Sequence, residues 1–165
     1  MQKLKDLTKE ELIERISNLE KRSKFGINWE NKTEKIIEDC KTNFPILKLN
    51  TKETVQNKKF FSSDILIEGD NYHSLAILNV THREKIDFIY IDPPYNTGAR
   101  DWKYNNDYID IHDSYRHSKW LSFMSERLIL CKDLLKNNGI ICVTIDDNEL
   151  SRLWLLLEKI FGERN

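Results

Sequence analysis

The chain has 165 residues, 39% hydrophobic and 32% charged, enough for one domain with a single core and unlike a disordered or fibrous chain. Its 26 Lys and Arg stand against 27 Asp and Glu, a net charge of −1, so much of any grip on nucleic-acid phosphate must come from elsewhere. No run reaches the ~18 apolar residues of a membrane span and the charged N-terminus is no signal peptide, which predicts a cytoplasmic protein without a membrane partner.

Thr8-Lys9-Glu10-Glu11 is a capping-box pattern, and Leu12, Ile13, Ile16 and Leu19 follow at helical spacing. A helix is predicted from about Thr8 to Ser23, packing on the domain or on a partner chain. Residues 24–62 are polar and broken by Gly26, Pro45 and Asn57, with a short helix expected near Thr33–Cys40. This divides the chain into a helical and irregular leader, 1–62, and a main domain, 63–165.

From Asp64 the texture changes. Ile65-Leu66-Ile67 reads as a buried strand ending in the turn Glu68-Gly69-Asp70-Asn71, and a helix follows through Leu75, Ile77 and Leu78 to about Val80. Ile86 to Ile91 is a second strand, stopped by Asp92-Pro93-Pro94. After a polar, aromatic loop, a long helix opens at Asp113 or Ser114. Leu121, Met124, Leu128, Cys131 and Leu135 form its stripe, and Asn137-Asn138-Gly139 its stop. Ile140 to Ile145 is a third strand ending in Asp146-Asp147. A last helix carries Leu150, Leu153, Trp154, Leu157 and Ile160 before Gly162.

The order β-α-β-loop-α-β-α, with near-continuous apolar strands, predicts an α/β fold: part of a doubly wound, Rossmann-like parallel sheet. Ligands in such sheets lie beyond the carboxyl ends of the strands. Asp70, Asp92 and Asp146 all stand there. Cys40, Cys131 and Cys142 form no C-x-x-C pair, and His73, His82, His112 and His117 no H-E-x-x-H, so neither a disulfide framework nor a metal is expected.

The sharpest feature is Tyr90-Ile91-Asp92-Pro93-Pro94-Tyr95-Asn96-Thr97-Gly98. Two prolines fix φ and lack N–H donors, leaving carbonyl oxygens free of regular pairing. A carboxylate ahead and an aromatic ring behind complete a rigid pocket suited to a planar ring bearing an exocyclic amine. Trp102, Tyr104, Tyr108, Tyr115 and Trp120 crowd the following segment, either to stack with bases or to clasp the loop. Arg100 and Lys103 either meet phosphate or solvate that loop.

Asp-Pro-Pro-Tyr at a strand end resembles the amino-methyltransferase motif of DNA adenine-N6 methylases. Leu66-Ile67-Glu68-Gly69-Asp70-Asn71-Tyr72, Asn96-Thr97-Gly98, His117 to Met124 and Ile145-Asp146-Asp147-Asn148-Glu149 are similar to segments of the methylase (Mod) subunit of type III restriction–modification systems. The likeness covers roughly residues 25–165. It implies a doubly wound, permuted methyltransferase domain with its catalytic half first. A target-recognition region and a glycine-rich cofactor motif then follow.

By that resemblance the cofactor is S-adenosyl-L-methionine and the substrate double-stranded DNA. Asp92 and the Pro93 carbonyl accept from the adenine amine, with Pro94 completing the turn. Tyr95 stacks on the flipped base. Asp70, Asn71 and Asp92 bind the cofactor, Asp70 having turn capping as its alternative role. A homodimer and a restriction (Res) subunit are the implied partners.

No two of Gly26, Gly69, Gly98, Gly139 and Gly162 make a G-x-G, so the cofactor fingerprint is absent. The 165 residues are accordingly expected to be an N-terminal fragment, inactive alone. The alternatives are a non-catalytic remnant or interaction subunit, and an amino-methyltransferase acting on RNA or protein.

Overall fold

A computed structural model describes residues 8–20, 26–51 and 64–165. Helix α1 (Lys9–Glu20) opens with the reciprocal bonds of a capping box. Thr8 N donates to the Glu11 carboxylate at 2.7 Å and Glu11 N to Thr8 Oγ1 at 3.3 Å. The expected helix end at Ser23 and the break at Asn57 lie outside the described residues.

Residues 27–40 lie against the main domain. Trp29 Nε1 and the Lys32 backbone N–H both donate to Ser122 Oγ, at 3.0 and 3.1 Å. The Tyr104 hydroxyl donates to the Lys32 carbonyl. Glu34, just ahead of α2 (Lys35–Cys40), is buried in an ion pair with Arg127 at 2.6 Å. That arginine also lies 3.7 Å from the centre of the Phe123 ring.

The strand expected at Ile65–Ile67 does not form. The segment has no ladder partner among the described residues, and Ile65 and Leu66 are 67% and 96% exposed. Its apolar run satisfies the local pattern, but a strand exists only where a neighbour supplies hydrogen bonds. The next helix, α3 (Asn71–Thr81), starts four residues ahead of Leu75 because Asp70 caps it, its carboxylate accepting from Tyr72 N at 2.7 Å.

Strand β1 (Ile86–Ile91) lies where the sequence puts it. The expected loop beyond it holds an antiparallel hairpin, β2 (Ala99–Tyr104) and β3 (Asp107–Asp110). Its turn residues Asn105 and Asn106 both take positive φ, 51° and 70°, the geometry of a two-residue type I′ turn. Helix α4 (Arg116–Leu134) passes directly into β4 (Leu135–Val143), and α5 (Leu150–Phe161) closes the described chain before Gly162.

Strands β1 and β4 pair in parallel, Phe88 to Ile91 opposite Ile140 to Val143. Ile86 pairs with Leu135, and the register shifts between the two stretches. Asn137-Asn138-Gly139 therefore forms an irregularity inside β4, not the helix stop, which falls at Leu134. Pairing of Leu135 with Ile86 draws the chain out of the helix early. A Cβ on Gly139 would stand 2.9 Å from Leu135 Cδ2 and 3.0 Å from the Ile86 carbonyl, so a side chain here would make the Leu135 side chain and the β1 backbone give way.

The core lies on one side of this sheet. Trp120, Leu121, Met124 and Leu128 of α4 meet Leu153 and Leu156 of α5, with Trp102, Tyr104 and Ile109 of the hairpin. Ile91, Ile141 and Val143 pack onto them from the sheet. On the opposite face Phe88, Tyr90 and Ile140 are 57%, 60% and 61% exposed.

Candidate active site

The loop leaves β1 at Asp92, whose position is fixed from both sides. Thr144, one residue beyond β4, extends the ladder by donating its N–H to the Ile91 carbonyl at 3.1 Å. Its hydroxyl then donates to Asp92 Oδ1 at 2.5 Å, and the Tyr95 hydroxyl donates to the same oxygen at 2.8 Å. The Thr144 bond, seconded by Tyr95, holds the Asp92 carboxyl below the usual carboxylate range. The same contact raises the Tyr95 hydroxyl, so it stays a donor.

The two prolines differ in what their carbonyls meet. Trp120 Nε1 donates to the Pro94 oxygen at 2.7 Å. Among the described residues no hydrogen bond reaches the Pro93 oxygen, which stays open as an acceptor. Beyond Tyr95 the chain turns on Asn96, at φ 57°, and Gly98, at φ 85°. A Cβ on Gly98 would stand 2.6 Å from Ile111 Cβ, so both conformation and space demand glycine.

Asp70 and Asp146 are engaged locally. Asp70 caps α3, and among the described residues no hydrogen bond reaches its second oxygen. Asp146 accepts from its own neighbour, Asn148 N at 2.9 Å and Nδ2 at 2.6 Å, a closed Asx turn. No hydrogen bond or ion pair among the described residues joins Asp70 or Asn71 to the loop 92–95. The carboxylate oxygens left open on Asp92 and Asp70 are acceptors, which suits a ligand rich in N–H and O–H donors and carrying positive charge.

The aromatic crowd separates into two groups. Trp102, Tyr104 and Trp120 are buried and clasp the loop from beneath, whereas Tyr108 and Tyr115 are 57% and 45% exposed. Arg100 pairs with Asp110 at 3.0 Å, and Lys103 lies 4.6 Å from the centre of the Tyr108 ring. Among the described residues no group of His, Cys, Asp and Glu is placed to hold a metal, and no helix is long and apolar enough to cross a membrane.

Sequence reasoning misses Thr144, Asn96, His117 and Glu149 as parts of this site. Thr144 reads as strand interior in Val143-Thr144-Ile145. Asn96, His117 and Glu149 stand inside segments carried only by family likeness, and nothing in their spacing shows that they meet.

The profile of the N6/N4 methyltransferase family described as DNA methylase matches residues 86–165, from the start of β1 through Asp92 to the end of the chain. The EcoPI Mod subunit of a type III restriction–modification enzyme, from Escherichia phage P1, is 32% identical over 185 residues. That match covers 94% of this chain and 28% of the relative. The type II methyltransferase M.KpnI of Klebsiella pneumoniae is 45% identical over 105 residues, 63% of this chain and 25% of its own length. The StyLTI Mod subunit of Salmonella typhimurium is 38% identical over 123 residues, 62% and 19% respectively. The matched stretches thus span only 19% to 28% of the length of these curated relatives. With a parallel pair of strands that leads into Asp92-Pro93-Pro94-Tyr95 and these matches, residues 86–165 of the chain belong to the DNA methylase family.

Proposed function

We propose that the chain carries the catalytic loop of an S-adenosylmethionine-dependent DNA adenine-N6 methyltransferase, the modification component of a restriction–modification system. The observation that carries this reading is the loop's acceptor pair. Asp92 is held as a carboxylate by Thr144 and Tyr95, and the Pro93 carbonyl stays open while Trp120 occupies that of Pro94.

An exocyclic adenine amine has two N–H donors, and Asp92 with the Pro93 oxygen offers two acceptors. Accepting both bonds turns the nitrogen lone pair outward, away from conjugation with the ring. S-adenosylmethionine supplies a methyl group on a sulfonium. Bound against the loop, it would give up that methyl group to the nitrogen, with the carbon–sulfur electron pair left on sulfur. The extra proton on nitrogen then passes to solvent, so Asp92 acts by orientation and charge rather than as a strong base. Tyr95, its hydroxyl tied to Asp92, presents its ring for the base to stack on once it leaves the duplex.

Asp70 and Asn71, at the head of α3, are proposed as cofactor contacts through the open carboxylate oxygen and the side-chain amide. The net charge of −1 leaves DNA to be gripped largely outside these residues. Double-stranded DNA as substrate, a homodimer and a Res-type restriction subunit are the partners this reading implies. The test is transfer of labelled methyl to duplex DNA, RNA and protein offered in parallel, using the polypeptide as it occurs in the cell. Label in DNA alone is expected; label confined to RNA or protein, or none, contradicts the reading.

A further inference from the structure

Glu149 is completely buried, yet it is a carboxylate at the head of α5 that makes no capping bond to its own helix. Burying a charge is unfavourable unless several donors surround it. Here they come from three places. Asn96 Nδ2, on the catalytic loop, donates to Oε1 at 2.5 Å. His117 Nδ1, on α4, meets the same oxygen at 2.5 Å, and Arg152 Nη1 lies 3.4 Å from Oε2. Arginine only donates, and Arg116 Nη2 sits 3.2 Å from His117 Nε2. That ring nitrogen is therefore the acceptor, and the Nδ1 proton points at Glu149.

The chain of bonds continues through the loop. Asn96 is itself completely buried, and its carbonyl oxygen accepts from Trp102 Nε1 at 3.1 Å. On the other side of Tyr95, Trp120 Nε1 holds the Pro94 carbonyl. Tyr95 is thus bracketed between two backbone positions, each tied by a buried side chain. The bond on the Asn96 side exists only because a carboxylate waits for it 53 residues later in the chain.

We propose that Glu149 is a positioning residue for methyl transfer: through Asn96 it fixes the stretch after Tyr95, and with it the place of the Tyr95 ring relative to Asp92. This rests on the reading of residues 92–95 as the methylating loop. Glu149 touches neither base nor cofactor in this account. It sets where Asp92 and Tyr95 stand, and small misplacements of reacting groups lower rates steeply.

The test uses the polypeptide as it occurs in the cell and two readouts. One is the indole N–H resonances of the four tryptophans, which report the network without any methyl transfer. The other is turnover with duplex DNA. Asn96→Asp sets two carboxylates against each other. It should shift the Trp102 indole resonance, leave that of Trp154 in place, and lower kcat between about 10- and 100-fold with a smaller change in KM for the cofactor. Combining Asn96→Asp with Glu149→Gln sets an amide against the new carboxylate, at the loss of the His117 Nδ1 acceptor, and should return the Trp102 resonance toward its wild-type place with part of the turnover. Wild-type resonances and kcat in Asn96→Asp overturn the proposal, as does a double variant that neither folds nor recovers. Should the wild-type protein itself transfer no methyl group, the reading of the loop fails, while the indole shifts still judge the network.

Discussion

The loop 92–96 and the segment 64–70 are both expected, from sequence, to line one edge of the sheet, yet the chain builds them to different standards. Asp92 is held by two hydroxyls, Pro94 by an indole and Asn96 by a buried carboxylate and a second indole. Asp70 has its cap to Tyr72, and ahead of it Ile65 and Leu66 stand in solvent. One half of the edge is preorganised by residues within the chain; the other has no strand pairing among the described residues. The loop's geometry thus draws on β1, β4 with Thr144 beyond it, α4, α5 and the hairpin. A cofactor pocket at Asp70 needs neighbours that the described residues do not provide.

The contrast is broken most severely at Asp92. Asp92→Ala should lower turnover by at least ~10²-fold while the fold survives, since the side chain is exposed and acts on transition-state charge. Circular dichroism beside a methyl-transfer assay checks both halves. Near-normal turnover in the folded variant removes Asp92 from the site.

Tyr95 comes next. Tyr95→Ala should weaken base binding by roughly tenfold or more through lost stacking. Tyr95→Phe should keep the stacking and lose only the hydroxyl bond to Asp92, a smaller effect in a DNA-binding titration with a fluorescent base at the target. Equal losses in the two variants would show that the hydroxyl, not the ring, carries the role.

Thr144 sharpens the electrostatic side of the comparison. Asp92 is depressed chiefly by Thr144, so its carboxylate persists as pH falls through the ordinary carboxylate range and protonates only below it. The acid limb of the rate profile should therefore lie below that range. Thr144→Val should move the limb to higher pH and reduce turnover between about three- and tenfold at neutral pH. A limb that stays in place shows that Asp92 does not govern it.

The smallest effect belongs to the weakly built half. Asp70→Ala should destabilise α3 by about 1 kcal/mol through the lost cap, read by denaturant titration. Calorimetry of the 165-residue chain alone should find weak cofactor binding, and Asp70→Ala should change it little beyond that. Tight binding by the isolated chain would show that the segment 64–70 is organised after all.

What the sequence discloses follows from the range of the interactions involved. The Thr8 capping box, β1 and the Gly162 end of α5 depend on near neighbours and are legible. Asn105-Asn106 is a local turn signal as well, but the flanking Ala99–Tyr104 and Asp107–Asp110 mix charges with aromatics and show no clean alternation. The unpaired Ile65–Ile67 shows the reverse, a good strand pattern without a partner. Within the site, Asp92, Pro93, Pro94 and Tyr95 stand together in the chain and read as a unit. Thr144 and Glu149 lie 52 and 53 residues from the loop residues they hold, and only the parallel pairing of β1 with β4 and the start of α5 bring them there.

The identity of the methylated nucleoside tests the central claim most directly. Duplex DNA treated with the polypeptide as it occurs in the cell and S-adenosylmethionine is digested to nucleosides and analysed by mass spectrometry. Asp92 and the Pro93 carbonyl, with Tyr95 behind them, predict N6-methyldeoxyadenosine that disappears with Asp92→Ala. A product carrying N4-methyldeoxycytidine instead, or no methylated nucleoside, would contradict the account.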